Sequence, residues 1–155
     1  MYFAMFLKKT TRVDIDILNK WLHKDYIQNF FGDPSDWTDE IRENLNVKWI
    51  QYFMVHTDKP IGFVQYYETH RGPKGIWSNE PLGTVGIDYL IGEESYLNKG
   101  YGSKLIKALI KEIRMSRKYS SVIANPNTEN IASVCALVSN GFILQRNSLY
   151  RLAIN

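Results

Sequence analysis

The stretch Ile87-Asp88-Tyr89-Leu90-Ile91-Gly92 leads a few residues on into Leu97-Asn98-Lys99-Gly100-Tyr101-Gly102-Ser103-Lys104 and a long amphipathic run to Arg117. Thr84 to Ile91 is rich in β-branched and aromatic residues and predicts a strand. Two glycines one residue apart then open a predicted helix. Its apolar positions, Tyr101, Leu105, Ile106, Leu109, Ile110 and Ile113, recur at helical spacing, while Lys104, Lys107, Lys111 and Arg114 fall on the other face. A strand running into a glycine turn at a helix start makes an anion site, because the first helical N–H groups have no intrahelical partner. The same pattern also serves an ordinary strand-to-helix connection. It is not a nucleotide P-loop, which needs Gly-Lys-Ser/Thr, nor the dinucleotide fingerprint, since Leu105 stands where a third glycine is wanted.

A second stretch narrows the choice. Asn125-Pro126-Asn127-Thr128-Glu129-Asn130 precedes an apolar run, Ile131 to Ser139, that closes in Asn140-Gly141-Phe142. Together the two stretches resemble the GNAT N-acetyltransferase superfamily, in which a Gly-x-Gly turn binds the pyrophosphate of acetyl-CoA and a later Asn opens a helix ending in Gly-Phe. Within it, Gly86-Ile87-Asp88, Ile91-Gly92-Glu93-Glu94 and Lys99-Gly100-Tyr101-Gly102-Ser103 are most similar to the aminoglycoside 6′-N-acetyltransferases. The similarity extends to Trp21-Leu22, Phe30-Phe31-Gly32 and Pro60-Ile61-Gly62, so it covers most of the chain.

Taken in order, residues 2–7 predict a first strand. Thr11-x-x-Asp14 forms a capping box for a helix with Val13, Ile17, Leu18, Trp21 and Leu22 at helical spacing. A short helix within 25–36 is broken by Gly32-Asp33-Pro34, and Asp36 or Thr38 could cap the next. Strands at Ile50–His56 and Ile61–Glu68 flank the turn Thr57-Asp58-Lys59-Pro60, and Thr69–Gly83 predicts an exposed loop. Ser120–Ala124 predicts a buried strand and Asn130–Asn140 a helix, and Phe142–Arg146 with Leu149–Ile154 predict a closing hairpin. This order is mixed α/β. The resemblance implies the GNAT fold: a mixed, mostly antiparallel central sheet flanked by helices, over one N-acetyltransferase domain (1–155), with splayed central strands near 84–91 and 120–124.

The 155 residues suffice for a real core, and 45% apolar with 23% charged residues is the balance of a water-soluble globular chain. One Cys allows no internal disulfide, and it offers no metal-ligand spacing with three scattered His. Met1–Leu7 is short and lacks a basic leader, so no signal peptide is expected; no run reaches the ~20 apolar residues of a membrane span. The expectation is a cytoplasmic protein with no membrane partner. Residues 1–96 carry 10 Lys/Arg and 14 Asp/Glu, a balance of −4, whereas 97–155 carry 9 and 2, a balance of +7. A phosphate-rich ligand suits the basic half, and a cationic acceptor suits the acidic one. Nucleic-acid binding is the rival explanation of the basic half, but no nucleic-acid motif accompanies the charge.

An Asp inside an apolar strand is costly unless it is paired, hydrated or used, which makes Asp88 the leading catalytic candidate. The resemblance implies that it is the base and also holds a cationic small-molecule amine. It further implies a donor site for acetyl-CoA formed by Asn98, Lys99, Gly100, Tyr101, Gly102 and Ser103, with Asn130 on the cofactor arm or capping its own helix. Gln65, Tyr66, Tyr67, Glu68 and the acidic residues Asp33, Asp36, Asp39, Glu40 and Glu43 could line the acceptor cleft, whereas Phe30-Phe31 is expected in the core. Two positions depart from the family. Leu97 replaces a Gln or Arg donor, and Leu137 stands where many relatives place a Tyr acid toward the departing thiolate. Ile131, Val134, Cys135 and Val138 form the expected buried stripe of that helix, with Leu137 roughly 100° away from it. These departures keep other readings open: a siderophore-type hydroxylamine, polyamine or protein-amine acetyltransferase, or a non-catalytic CoA-binding relative. Relatives of the siderophore kind tend to carry His at the Asp88 position. Monomer and homodimer are both open.

Overall fold

The computed structural model describes residues 4–72, 77 and 79–155. Residues 2–3 of the expected first strand, and 73–76 and 78 of the expected loop, lie outside them. Seven strands, β1 (Phe6–Lys9), β2 (Ile50–His56), β3 (Pro60–Glu68), β4 (Thr84–Ile91), β5 (Ser121–Ala124), β6 (Ile143–Arg146) and β7 (Leu149–Ala153), form one sheet ordered β1-β2-β3-β4-β5-β7-β6. All pairs are antiparallel except β4 with β5. That parallel ladder runs only from Thr84↔Ser121 to Gly86↔Ile123, although β4 continues to Ile91. The two central strands therefore part at Ile87, as the splayed-strand expectation requires.

Five α-helices cover the faces: α1 (Ile15–Leu22), α2 (Asp25–Phe31), α3 (Pro34–Asn44), α4 (Tyr101–Ser116) and α5 (Ile131–Ser139). One face of the sheet packs Val64, Val85, Ile87 and Val122 against the fully buried Leu105, Ile106, Leu109 and Ile113 of α4. The other packs Tyr52, Met54, Phe63 and Leu90 beneath Leu18 and Trp21 of α1 and Ile41 of α3. Burial of this kind contributes about 1.5–3 kcal/mol per large side chain. No helix among the described residues is long and apolar enough to cross a membrane.

The helix starts follow local chemistry. Asp14 Oδ2 accepts from the Thr11 N–H at 2.8 Å, closing the expected box before a short 3₁₀ turn leads into α1. The start of α3 differs from expectation. Asp33, not Asp36 or Thr38, caps it by accepting from the Ser35 N–H at 2.9 Å, and Pro34 fits the first turn because its missing N–H costs nothing there.

The orientation of α5 is also corrected. Ile131 and Val138 are 70% and 54% exposed and Cys135 is exposed, whereas Ala136 and Leu137 are buried. This helix is apolar nearly all round, so periodicity could not select its inner face. Packing does. Ala136 and Leu137 join Phe142 and the apolar face of α4 in one core cluster. Leu137 is therefore a packing residue and does not face the cleft.

Candidate active site

Alternation along β4 turns Asp88 toward α3 and Tyr89 toward α4 and α5. Asp88 is paired directly with Gln65 of β3, whose Nε2 donates to Asp88 Oδ2 at 2.9 Å. Burial pushes the Asp88 carboxyl up to about 6; Glu40 adds to the rise, and the Gln65 hydrogen bond opposes it. At neutral pH this leaves a carboxylate that accepts protons far more readily than an exposed Asp.

Asp88 opens on a cavity of about 310 Å³ between α3 and β3. Trp37 and Glu40 of α3, Trp49, Tyr67 and Trp77 wall it. Glu40 titrates above its ordinary value through burial and the neighbouring Glu43. Tyr67 reaches this wall only because residue 86 is glycine: a Cβ there would lie 2.5 Å from the Tyr67 ring. The Tyr67 phenol is raised first by burial and then by the Asp88 charge. Aromatic faces and carboxylates in one concavity suit a cation.

Of the acceptor-side candidates, Gln65, Tyr67, Asp88 and Glu40 come together here. Tyr66 does not. One residue along a strand reverses the side, and Tyr66 is buried on the α4 face, stacked on Phe53 and edge-on to Tyr119. Glu68 accepts from the Tyr119 hydroxyl at 2.7 Å and pairs with Arg71, away from the cavity. Asp33 is occupied as a helix cap, and Asp36, Asp39 and Glu43 are absent from the wall.

On the opposite side of β4, the glycine turn expected to hold the donor opens α4. Asn98 and Gly100 both adopt left-handed backbone, with φ of 59° and 82°. At Gly100 this conformation favours glycine outright. The first backbone bond back to the turn is Lys104 N–H to Gly100 carbonyl at 3.3 Å, so the Tyr101, Gly102 and Ser103 amides lie at the open end of the helix. The Tyr101 ring packs edge-on to Tyr96 with Lys104 Nζ 4.7 Å from its centroid; its side chain is structural. The Ser103 hydroxyl is shared with α5, 2.7 Å from Ser139 Oγ and accepting from Asn140 Nδ2 at 3.2 Å. Lys104, Lys107, Lys111 and Arg114 line a groove of about 1190 Å³ along α4, which begins at Tyr101 and Ser103 and does not contain Asp88. It gives the open end of α4 a positive flank.

From the helix start a channel of about 250 Å³ runs inward between Leu97, Leu105 and Ala136 on one side and Phe30 and Phe31 on the other. Phe30 and Phe31 thus wall a cleft, contrary to the expectation of a core position. Asn130 lines the channel while its Oδ1 accepts from the Ser133 N–H at 3.2 Å, so it caps α5 and borders the site at once. A smaller cavity of about 100 Å³ at the strand fork touches Asp88, Tyr89, Asn130 and Ser133 together. It joins the two sides. Trp37, Trp77, Tyr89 and Ser133 were not anticipated as site residues, because aromatic and hydroxyl residues carry no spacing signature of their own. Among the described residues, no group of three or more His, Cys, Asp or Glu could hold a metal ion.

A sheet split between its central strands, a glycine turn opening a helix beside the split and a partly buried carboxylate at the fork are the parts expected of an acyl-transfer scaffold. The acetyltransferase (GNAT) domain family matches residues 10–148, and the chain belongs to it. Aminoglycoside N(6')-acetyltransferases type 1 from Klebsiella pneumoniae and from Serratia marcescens are each 25% identical over 145 residues, 88% of this chain and 72% of theirs. The fold matches the crystal structure of aminoglycoside acetyltransferase AAC(6')-Ib in complex with coenzyme A, with TM-score 0.88 at 22% identity over 97% of this chain and 95% of that one. An aminoglycoside N(6')acetyltransferase from Legionella pneumophila matches with TM-score 0.76 at 18% identity over 99% and 94%.

Proposed function

We propose that this chain, acting as one N-acetyltransferase domain, moves the acetyl group of acetyl-CoA to a primary amine of an aminoglycoside by direct attack. The observation that carries the acceptor class is the placement of Asp88: a partly buried carboxylate in a concavity walled by Glu40, Tyr67, Trp37 and Trp49. Relatives named as aminoglycoside acetyltransferases cover most of the chain, and they support the same acceptor.

The amine nitrogen attacks the thioester carbonyl carbon, and a C–N bond forms as the C=O electrons move to oxygen. Attack lowers the pKa of that nitrogen, and Asp88 takes up its proton. Collapse of the adduct breaks the C–S bond and leaves the amide and the CoA thiolate. The amides of 98–103 hold the pyrophosphate, with the basic face of α4 beside them, and Leu97 contributes only apolar contact. Holding both reactants at the strand fork removes much of the entropic barrier to their meeting. We place the reaction in the cytoplasm, where acyl-CoA thioesters are made.

The test is acetyl-CoA-dependent thiol release for wild type and Asp88→Asn over kanamycin, polyamines, hydroxylamines and peptides. Turnover of kanamycin that falls at least 10²-fold in the variant is expected. Activity confined to another amine overturns the acceptor, and an active wild type matched by Asp88→Asn overturns the base. Silence across the panel with CoA still bound identifies a non-catalytic relative.

A further inference from the structure

Leu137 is fully buried, so the helix that supplies a thiolate partner in many relatives supplies none from that position here. The fork cavity offers a replacement. Three polar side chains border both the inner channel and the fork cavity: Tyr89, Asn130 and Ser133. Asn130 caps α5 through its Oδ1, and its Nδ2 is a second donor on this lining. Tyr26, the other hydroxyl on the channel, donates to the Ile91 carbonyl at 2.8 Å and does not reach the fork. Tyr89 and Ser133 supply the two hydroxyls that border both cavities, and these are hydrogen-bonded to each other across the gap between β4 and α5.

We infer that the Tyr89–Ser133 hydroxyl pair is the hydrogen-bond donor to the departing sulfur, taking the place that Leu137 has vacated. This rests on the acetyl-transfer function proposed above. The two hydroxyls can share their hydrogen bond in either direction; in the arrangement this role requires, Ser133 donates to the Tyr89 oxygen and frees the phenolic hydrogen for the cavity. When the C–S bond breaks, its electron pair stays on sulfur, and the Tyr89 O–H donates to that thiolate without losing its proton. The thiolate is protonated afterwards from solvent, while the proton taken by Asp88 returns there. Burial and the Asp88 charge, against the Ser133 bond, push the Tyr89 phenol up to about 12. A phenol that holds its proton so tightly does not surrender it to a thiolate whose ordinary pKa is ~8.5. It acts as a fixed dipole aimed at charge that develops late, a role worth roughly 10²-fold in rate for a buried donor.

Adjacent residues on one strand then divide the labour. Asp88 faces the attacking nitrogen and Tyr89 the leaving sulfur, on opposite faces of β4. Ser133 acts through Tyr89 and is a positioning residue.

Two measurements test this. Tyr89→Phe keeps the ring and removes the donor; it is expected to lower kcat roughly 10²-fold with KM for acetyl-CoA unchanged. Ser133→Ala should lower kcat less, and Ser133→Thr should restore it. The second measurement needs no acceptor: the thiol of bound CoA is titrated by thiolate absorbance in wild type and in Tyr89→Phe. A donor to sulfur favours the charged form, so the bound thiol should titrate about one pH unit lower in wild type. Equal titration in the two proteins, or a Tyr89→Phe kcat within twofold of an active wild type, overturns the inference. A wild type that turns over no amine brings down the proposed function instead, and the CoA titration still decides the role of Tyr89.

Discussion

Gln65 and Asp88 face each other across the β3–β4 ladder, and the Gln65 amide donates to the Asp88 carboxylate at 2.9 Å. Asp88 therefore has a neutral partner where a buried carboxylate more often finds a cation. A neutral donor satisfies one oxygen without quenching the charge, which keeps the carboxyl near 6 as a base. Gln65→Leu removes that donor and leaves burial unopposed. The acidic limb of kcat/KM should move from about 6 upward by about one unit. A pH–rate profile over 5–9 checks it, and an unmoved limb would make Gln65 a packing residue only.

The same burial makes Asp88 a cost to the fold. Its folded-state value of about 6 exceeds the 3.8 of an unperturbed Asp, so between these values the folded chain binds more protons than the unfolded one. Stability then falls as pH rises from about 4 to about 6, and the cost persists at neutral pH. Asp88→Asn removes the charge and should stabilise the protein at pH 7.5 by about 1–3 kcal/mol while abolishing most turnover. Thermal melts at pH 4.5 and 7.5 decide the matter: the gain should be present at 7.5 and largely absent at 4.5.

Glu40 lies on the wall of the Asp88 cavity, and its charge raises the Asp88 pKa. Glu40→Gln should raise KM for a cationic acceptor about tenfold, equivalent to about 1.4 kcal/mol, and leave KM for acetyl-CoA alone. It should also shift the acidic limb downward, opposite in sign to Gln65→Leu. A variant whose two KM values change together would place Glu40 outside the acceptor site.

Leu137→Tyr restores the residue that many relatives carry. Because Leu137 is fully buried beside Phe142, the larger side chain should overpack the core and destabilise it by about 1–3 kcal/mol, with no gain in kcat. Denaturant unfolding and steady-state rates together test this; a faster, equally stable variant would show that α5 can turn its Leu137 face to the cleft.

Most of the sheet was legible in the sequence because its strands are bounded by strong turn signals. The expected limits of Ile50–His56 and Thr84–Ile91 coincide with β2 and β4. The helix α4 was equally plain, since its basic and apolar faces are cleanly separated. Where that contrast fails, so does the inference: α5 is apolar on both faces, and only the packed structure, with Ala136 and Leu137 buried, reveals which one turns inward. At the site, Asp88 stood out as a charge in an apolar strand. Tyr66 and Tyr67 are chemically alike, and only register separates the buried core residue from the cavity wall. The aromatic walls were invisible for a different reason. Trp37, Trp49 and Trp77 lie far apart along the chain, and packing alone brings them together.

The parting of β4 from β5 has a consequence for how such a protein can diverge. The Asp88 cavity is built from α3, β3 and the segments beside them, whereas the channel and the glycine turn come from α2, α4 and α5. The two linings have no residue in common, and they touch where Trp37 stacks on Phe31 and donates to its carbonyl oxygen at 2.7 Å. Mutations away from that contact reshape one set and leave the lining of the other in place, so under the proposed function selection can exchange the recipient molecule while inheriting the donor machinery. A lineage with this layout can explore new amines by changes at positions such as Glu40 and Trp49, whereas a change at Trp37 also disturbs the channel wall at Phe31. The chemistry at Asp88 and Tyr89 then stays fixed while the repertoire changes around it.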